Sequence, residues 1–403
     1  MRVLLISTWF PYPPMQGSKT RAYHLLRALA RRHEVALLSF EDVPIRPAWR
    51  EHLLTLCRQV EIVSRAPFAQ SAHGRVRGWF SPQPSAVVAG YSLEMASAAD
   101  SLAREWAPDC VVALTFVAAP YALQVKAPCR VLDVDNLTGA MLREEATRAQ
   151  APARRLRLNL ASRKFARYEA GLCRDFDLAL VTSQRDAARL QASAGLPSSR
   201  IAVVPNGVDL SHFQPGSEPV DFSRLIFNGA VTYEPNFDAV KYFVEQMLPT
   251  IRASVPEATL MVTGSTEGVP VDGLTQRAGV CFTGFVEDLR PLVRQSAVCV
   301  VPLRKGGGTR LKVLEAMALG IPVVSTAKGV EGLELEDGRE LLIEDEPHRF
   351  AEASLGLMRD PQLRADLAAR ALDRVQRQYG WEQIGSEFLA QVEAIGEGPS
   401  DGR

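Results

Sequence analysis

Two basic residues and a carboxylate follow a run of three glycines in the segment 300–325, VVPLRKGGGTRLKVLEAMALGIPVVS. Arg310 and Lys312 stand at the start of a predicted helix, where unpaired backbone amides and the helix dipole already favour an anion. The glycines at 306–308 let the backbone turn and approach a ligand closely. The pattern predicts a phosphate or diphosphate site, with Glu315 one turn further along and within reach of a group attached to that phosphate.

An alternative interpretation needs no ligand. Arg310 and Lys312 would be solvated, and Glu315 would pair with Lys312 three residues away on the same helix. Three successive glycines in a surface loop would then only cost conformational entropy. The glycine run therefore favours the ligand interpretation.

Buried elements are expected on both sides of the glycines. Residues 298–302 form an apolar run with β-branched residues, which predicts a strand. The helix carries Leu311, Leu314 and Ala318 on one face and is expected to last about three turns before Gly320 ends it. A second buried strand follows the helix.

The composition is that of a globular protein with two domains. The chain has 403 residues, 47% of them hydrophobic and 23% charged, and is too long for one ordinary core. Basic residues are concentrated in residues 1–200 and acidic residues in the second half. A basic half is typical of proteins that meet nucleic acid, an anionic membrane or a phosphorylated substrate. Because no nucleic-acid motif accompanies it, we expect no nucleic-acid partner.

Cysteine usage and hydropathy point to the cytoplasm. The six cysteines are scattered without a C-x-x-C pair, so we expect reduced thiols in the protein core. The apolar start MRVLLISTWF is too short for a signal peptide. The uncharged segment 110–125 contains Pro120 and is too short to span a bilayer. We expect a cytoplasmic protein that is soluble or peripheral on the inner face of the membrane.

Strands and helices alternate along the chain, which predicts two doubly wound parallel sheets. The strands are expected at residues 3–7, 35–40, 60–63, 110–114, 130–134, 178–182 and 201–204, and at 225–228, 259–262, 280–282, 298–301, 322–325 and 341–343.

Gly17 and Lys19 resemble a P-loop only superficially, because no glycine lies five positions before the lysine. Gly17 is expected instead to let its proline-rich loop approach a ligand. The turn that begins at Gly229 lacks the G-x-G-x-x-G fingerprint of dinucleotide sites.

An arginine-rich helical stretch lies between residues 143 and 174 and is interrupted near Pro152. Leu156, Leu160 and Phe165 interleave with its cations. Such a helix can lie on anionic lipid, although a charged face is often simply solvated. We expect the first domain to be the side on which an acceptor substrate binds. It is also a candidate for peripheral membrane contact. Arg65, Arg75, Arg77 and Trp79 add further basic and aromatic side chains to the same domain.

Five motifs follow one another over nearly the whole chain: LLISTWFPYPPMQGSKTRAYHLLRAL, VVPNGVDLSHF, IFNGAVTYEPNFDAV, FTGFVEDLRPLVRQSAVCVVPL and GGGTRLKVLEAMALGIPVVST. Together they resemble the retaining family 4 glycosyltransferases of GT-B architecture. The PYPP opening and the GTRLKVLEAMA block are similar to bacterial sugar transferases of exopolysaccharide and envelope-polysaccharide systems. The resemblance implies two Rossmann-like domains facing a cleft. They are residues 1–203, completed by a returning helix at 381–397, and residues 204–380, with a frayed tail at 398–403.

The same resemblance implies roles for single residues. A glutamate in the position of Glu315 binds the ribose hydroxyls of a nucleotide sugar. Backbone amides at the helix start hold its diphosphate. The amides concerned are those of Gly308, Thr309, Arg310 and Leu311. Gly17 and Arg21 of the opening motif, and Gly229 after the first strand of the second domain, are also expected to contact substrate.

Three departures from the family pattern bear on these roles. Gly307 stands where the family has a first glutamate, eight residues before Glu315. The turn after Gly229 carries no cation, so Arg310 and Lys312 are expected to take over the neutralisation of the diphosphate. Asp135 stands where a histidine often lies near the donor sugar. It is a candidate catalytic residue, and equally it fits a loop or cap position.

The expected reaction is retaining transfer of a sugar from a nucleotide-diphosphate donor to a saccharide or polyprenyl-linked acceptor, in envelope or exopolysaccharide synthesis. The histidines show no metal-ligand spacing, so we expect no metal and no other cofactor. Charge on the departing diphosphate would be met by Arg310, Lys312 and the helix N-terminus. Two alternatives stay open: a catalytically inactive subunit that binds sugar nucleotides, and a nucleotide-sugar epimerase of GT-B fold.

Overall fold

A computed structural model describes residues 1–64, 78, 81–277 and 279–396. The chain divides into two compact units, which are Met1–Pro205 with the chain from Glu382 onward, and Asn206–Trp381. The expectations for Arg65, Arg75, Arg77, Trp79 and the tail 398–403 lie outside the described residues.

Unit 1 is built on a parallel sheet of seven strands. The strands are β1 (Arg2–Ser7), β2 (Glu34–Phe40), β3 (Gln59–Val63), β4 (Cys110–Leu114), β5 (Cys129–Asp133), β6 (Leu178–Val181) and β7 (Ile201–Val203). Their order is β3-β2-β1-β4-β5-β6-β7, and every neighbouring pair is parallel. The order reverses between β1 and β4, and ligands of doubly wound sheets bind beyond the carboxyl ends of the strands at such a point.

Helices connect these strands, as parallel pairing requires. They are α1 (Gly17–Ala30), α2 (Pro47–Leu54), α3 (Ser85–Gly90), α4 (Leu93–Trp106), α5 (Ala119–Ala122), α6 (Thr138–Arg148), α7 (Pro152–Asp175) and α8 (Gln184–Ala194), with a 3-10 turn at Ser198–Arg200. The central strands are completely buried because both faces of the sheet are covered. The side chains of Val3, Leu4, Leu5 and Ile6 are all inaccessible to solvent.

Unit 2 repeats the plan with six parallel strands. They are β8 (Asp221–Asn228), β9 (Thr259–Thr263), β10 (Val280–Gly284), β11 (Ser296–Val301), β12 (Val323–Ser325) and β13 (Leu342–Ile343). The helices are α9 (Glu234–Gln246), α10 (Leu248–Ser254), α11 (Asp272–Thr275), α12 (Arg290–Arg294), α13 (Leu311–Ala318), α14 (Pro347–Arg359) and α15 (Pro361–Gln378), with a 3-10 turn at Ala327–Val330. The order β10-β9-β8-β11-β12-β13 reverses between β8 and β11. Both units are therefore Rossmann-like.

The last helix, α16 (Trp381–Gly396), packs on α1 of unit 1. Glu382 accepts from Arg27 at 3.1 Å and also pairs with Arg31. A side chain at Gly385 would stand 3.0 Å from the methyl group of Ala28. The two helices can approach closely because Gly385 has no side chain.

All thirteen predicted strands are present, and so are two doubly wound parallel sheets. Three local expectations were wrong. The strand predicted to begin at residue 225 already begins at Asp221. Helix α13 has eight residues, about two turns instead of three, although Gly320 follows it with φ +76° as the stop signal required. Cys281 is exposed, whereas the other five cysteines are buried.

None of the helices that the structure describes combines the length and the apolar character needed to cross a bilayer.

Candidate functional site

The candidate donor site lies at the switch point of the unit 2 sheet. Strands β8 and β11 are neighbours there, and both loops that leave their carboxyl ends carry predicted site residues. The loop after β8 starts at Gly229, and the loop after β11 holds the three glycines that lead into α13. Topology thus brings together two motifs that lie about 80 residues apart in the sequence.

Glu315 faces the end of β8 from the second turn of α13. Its carboxylate accepts a hydrogen bond of 3.0 Å from the Nδ2 atom of Asn228, the last residue of β8. Burial raises the pKa of Glu315 to about 7, against the opposing effects of Lys312 and of that hydrogen bond. The side chain is half-buried, so part of the carboxylate is open to a ligand. An acceptor in this state suits a vicinal diol.

Lys312 reaches the turn that lacks a cation of its own. Its ammonium donates to the Oδ1 atom of Asn236 at 2.9 Å and lies 3.8 Å from the centre of the Phe227 ring. A β-carbon at Gly229, where φ is +151°, would stand 2.7 Å from the ammonium nitrogen. Burial lowers the pKa of Lys312 to about 7. A desolvated ammonium next to a bare glycine favours an anion at that place.

Asn236 fixes the position of the lysine. It lies in the first turn of α9, is buried, and donates from Nδ2 to the carbonyl of Ala230 at 2.8 Å. That bond leaves Oδ1 to accept from Lys312. The turn after β8 therefore lacks a basic residue but is supplied with one from α13.

Arg310 is oriented differently, although it lies only two residues before Lys312. It is 6% exposed, and its guanidinium donates to the carbonyl of Gly308 at 2.7 Å, to that of Gly306 at 2.8 Å, and to that of Gly307. Gly306 and Gly308 have φ of +102° and +79°, which is a conformation that glycine adopts at little cost. The structure thus places the charge of Arg310 inside its own loop, where it orders the glycines.

The same arrangement leaves loop amides open. Among the residues that the structure describes, the backbone amides of Gly308 and Thr309 have no hydrogen-bond partner. The Thr309 hydroxyl accepts from the Nδ2 atom of Asn206 at 3.1 Å, and the Leu311 amide is engaged by the Thr309 carbonyl at 3.1 Å. Two unpaired amides at a helix N-terminus form an anion-binding arrangement, whereas the amide of Leu311 is already used.

Arg21 of unit 1 lies in the core, which corrects the expectation of a substrate contact. It is 1% exposed and forms a two-pronged ion pair with Asp133 at 2.6 and 2.8 Å. It also donates to the Val204 carbonyl at 2.9 Å. A buried charge needs such a partner. The bonds of the guanidinium also connect α1 to the ends of β5 and β7. No surface remains with which it could reach a substrate.

Gly17 and Asp135 come together at the carboxyl edge of the unit 1 sheet. Gly17 is the exposed first residue of α1, and the hydroxyl of the next residue, Ser18, donates to the Asp135 carboxylate at 3.2 Å. Asp135 has φ +54°, and its carbonyl accepts from the Thr182 hydroxyl at 3.2 Å. Left-handed backbone at an aspartate is uncommon and is enriched at functional sites. The catalytic role predicted for Asp135 stays a prediction.

Sequence reasoning missed Asn228 and Asn236, which orient Glu315 and Lys312. Both stand in the motif around Gly229, one at the end of a predicted strand and one at the start of the next helix. A polar residue that ends a buried strand at the switch point was the available signal. Within the described parts of the chain, no group of three His, Cys, Asp or Glu residues is placed to hold a metal ion.

Two family models match the chain in succession. One is described as Glycosyltransferase Family 4 and matches residues 15–212, and the other is described as Glycosyl transferases group 1 and matches residues 223–360. Their boundary falls near the division between the two units. Together they include every predicted site residue.

The chain is similar to proteins of known activity. The phosphatidyl-myo-inositol mannosyltransferase of Mycolicibacterium smegmatis is 28% identical over 223 residues, 52% of this chain and 56% of that protein. The matched region spans about half the length of the first three curated relatives. The lipopolysaccharide core mannosyltransferase LpsB of Rhizobium meliloti is 25% identical over 295 residues, 66% of this chain and 80% of that protein.

A solved structure has the same fold over nearly the whole chain. It is that of HepE from Anabaena in complex with UDP and glucose, with a TM-score of 0.66 and 16% identity. The superposition covers 98% of this chain and 99% of the other.

Proposed function

We propose that this chain, which belongs to the family 4 glycosyltransferases of GT-B architecture, transfers a sugar from a nucleotide-diphosphate donor to an acceptor hydroxyl with retention at the anomeric carbon. The bond between that carbon and the diphosphate breaks, and the acceptor oxygen takes its place on the same face of the sugar. The proton of the acceptor hydroxyl passes to the departing diphosphate. The acceptor is a saccharide or a polyprenyl-linked acceptor in bacterial envelope or exopolysaccharide synthesis. The similarity to LpsB supports the envelope assignment.

The observation that carries this proposal is the placement of Lys312 and Glu315 on one helix, each bonded to a different asparagine. Lys312 brings an ammonium to the bare turn at Gly229, and Glu315 presents a half-buried carboxylate 3.0 Å from Asn228. A nucleoside diphosphate carries a diol and an anion in a fixed relation. The site supplies an acceptor for the first and a cation for the second.

The donor is held by groups with separate tasks. Glu315 accepts hydrogen bonds from the ribose hydroxyls. The diphosphate lies against Lys312 and the open amides of Gly308 and Thr309 at the start of α13. Arg310 acts as a positioning residue, because its bonds to the loop carbonyls keep those amides pointing outward. The HepE complex with UDP supports a nucleotide at a site of this fold.

Catalysis follows from the charge that develops on the departing diphosphate. Lys312 and the helix N-terminus are fixed before the reaction and stabilise that charge without reorganisation. Asp135 of unit 1 is assigned to orient the donor sugar or acceptor, held by Ser18 at 3.2 Å. We place the protein in the cytoplasm, which its six free thiols support.

The first test is binding. A thermal-shift screen against UDP, GDP, ADP and dTDP is expected to select at least one of them. Glu315→Gln is then expected to lose about tenfold to a hundredfold in affinity for that nucleotide, since a charged hydrogen-bond acceptor becomes neutral. Glu352→Gln, which changes an exposed carboxylate on α14 of the same unit, is the matched control and is expected to bind as wild type. Unchanged affinity and rate in Glu315→Gln would refute the assignment.

The second test is the product. Labelled nucleotide sugars are incubated with lipid-linked and free saccharide acceptors, and the products are separated. A new glycosidic bond of unchanged anomeric configuration supports the proposed transfer. A new epimer of the donor would indicate an epimerase, and nucleotide binding without any product would indicate an inactive subunit.

A further inference from the structure

Helix α7 presents a basic and apolar face to solvent. Leu156 and Leu160 are 63% and 53% exposed, and Arg163 and Arg167 are exposed as well. The spacings of four, three and four residues place these four side chains along one line of the helix. Arg157 is exposed beside the two leucines. We call these five residues the α7 face.

The opposite side of α7 holds the helix on unit 1. Phe165 packs edge-on to Phe116 with ring centres 5.5 Å apart, and the Ser162 hydroxyl donates to the Gly139 carbonyl at 2.8 Å. Leu158 and Glu169 are buried on the same side. The helix is therefore anchored by one side, and the α7 face is its outer surface.

The charge of the α7 face is not balanced locally. Residues 152–168 hold six basic residues and no acidic one. Among the described residues, Arg157, Arg163 and Arg167 have no ion-pair partner. On the neighbouring helix α6 the pattern is different, since Arg148 pairs with Glu144 at 2.7 Å. An ordinary solvated helix face mixes both signs, as α6 does, whereas this one is unipolar.

We propose that the α7 face docks on an anionic lipid bilayer. The three arginines attract the headgroups, and the two leucines enter the boundary between headgroups and acyl chains. Charge complementarity selects the anionic surface, and the exposed leucines select a bilayer over a soluble polyanion. The α7 face belongs to unit 1 and the candidate donor site to unit 2, and docking does not depend on the proposed reaction.

The test uses the full chain and vesicles of phosphatidylcholine, with or without phosphatidylglycerol, in a flotation assay. Wild type is expected to float with the anionic vesicles only, and added salt is expected to weaken the binding. The variant Arg157→Gln/Arg163→Gln/Arg167→Gln is expected to bind about a hundredfold more weakly, on the order of fivefold per arginine. Flotation with neutral vesicles, or none with anionic ones, would overturn the proposal.

A second variant separates a bilayer from any other polyanion. Leu156→Ser/Leu160→Ser keeps every charge and is expected to lose about tenfold in vesicle affinity. If it floats as well as wild type while the arginine variant does not, the face binds anions only and the bilayer proposal fails. Both variants are expected to keep the wild-type nucleotide affinity.

Matched controls come from the same unit. Arg58→Gln/Arg104→Gln/Arg189→Gln removes three exposed arginines from other elements, and Leu93→Ser changes a side chain that is 78% exposed on α4. Both are expected to float with anionic vesicles as wild type does. A loss in the arginine control equal to that in the α7 variant would show that total charge, and not the α7 face, drives binding.

Discussion

Each unit places a basic side chain and a carboxylate near the carboxyl ends of its strands, yet the two units use them differently. In unit 1, Arg21 and Asp133 neutralise each other with two hydrogen bonds and leave 1% of the arginine exposed. In unit 2, Lys312 and Glu315 each bond to an asparagine and stay half-buried. The first arrangement is saturated, and the second keeps bonding capacity that a ligand can take up.

The pKa values express the same contrast. Burial lowers the pKa of Lys312 and raises that of Glu315, each to about 7, so both charged forms are disfavoured where they stand. A diphosphate near Lys312 would stabilise the charged form of the lysine. For Arg21 the ion pair with Asp133 offsets its desolvation, and its pKa is raised. Unsatisfied charge at a switch point distinguishes a binding site from a core contact.

The largest effect is expected where the saturated pair is broken. Asp133→Ala leaves the Arg21 charge buried without its partner, which costs about 3–5 kcal/mol of unfolding free energy. Asp100→Ala breaks a pair of 3.0 Å with Arg104, in which the aspartate is 58% and the arginine 72% exposed, and is expected to cost less than about 1 kcal/mol. Urea unfolding of the two variants measures the difference. Equal stabilities would remove the distinction drawn between the units.

Removing the bonds between Arg310 and its loop carbonyls is expected to weaken binding more than stability. Arg310→Ala frees three carbonyls, so the amides of Gly308 and Thr309 lose their fixed direction. Affinity for the nucleoside diphosphate is expected to fall about tenfold to a hundredfold, while affinity for the nucleoside alone stays unchanged. Calorimetry with both ligands measures this split.

Rescue separates positioning by Arg310 from general damage to the fold. Added methylguanidinium is expected to restore part of the diphosphate affinity of Arg310→Ala, and Arg310→Lys is expected to stay weak because one ammonium cannot reach all three carbonyls. Equal losses of affinity for the nucleoside and for the nucleoside diphosphate would contradict the positioning role of Arg310.

The third effect is a pH dependence of nucleotide-sugar binding in unit 2. Above pH 7 the free protein loses the Lys312 proton, so affinity for a nucleotide sugar is expected to fall by up to about tenfold per pH unit. Below pH 7 protonation of Glu315 is expected to weaken binding in the other direction. Lys312→Arg stays charged and is expected to lose only the alkaline decline. Lys241→Arg, at an exposed lysine on α9, should keep both limbs in calorimetric titrations.

Much of this fold could be predicted because its strands are short apolar runs separated by helices. Burial on both faces of a parallel sheet makes such runs visible in the sequence. The strand predicted at residues 225–228 is too short, because β8 begins at Asp221. Three of its first four residues are polar, and none of the four is buried. Local patterns identify what is buried and fail where the strand leaves the core.

The orientations of the charged residues could not be predicted in this way. Arg310 and Lys312 stand two residues apart, and only the loop carbonyls and Asn236, which lies 76 residues away, send one inward and the other to the turn. Arg21 looks like a surface residue of an amphipathic helix, and its partner lies 112 residues further along. Side-chain direction depends on tertiary contacts that residue spacing does not contain.

The smallest effect is expected at Asp135, at the carboxyl edge of the unit 1 sheet. Ser18→Ala removes the 3.2 Å bond to Asp135 and is expected to cost about 1 kcal/mol or less of stability. If Asp135 orients the sugar or acceptor, the transfer rate should fall several-fold while nucleotide affinity stays at the wild-type value. Steady-state kinetics with calorimetry separates the two quantities, and Ser193→Ala, which removes a hydroxyl bonded only within α8, is the control. A wild-type rate in Ser18→Ala would leave unit 1 with a structural edge and assign the chemistry to unit 2 alone.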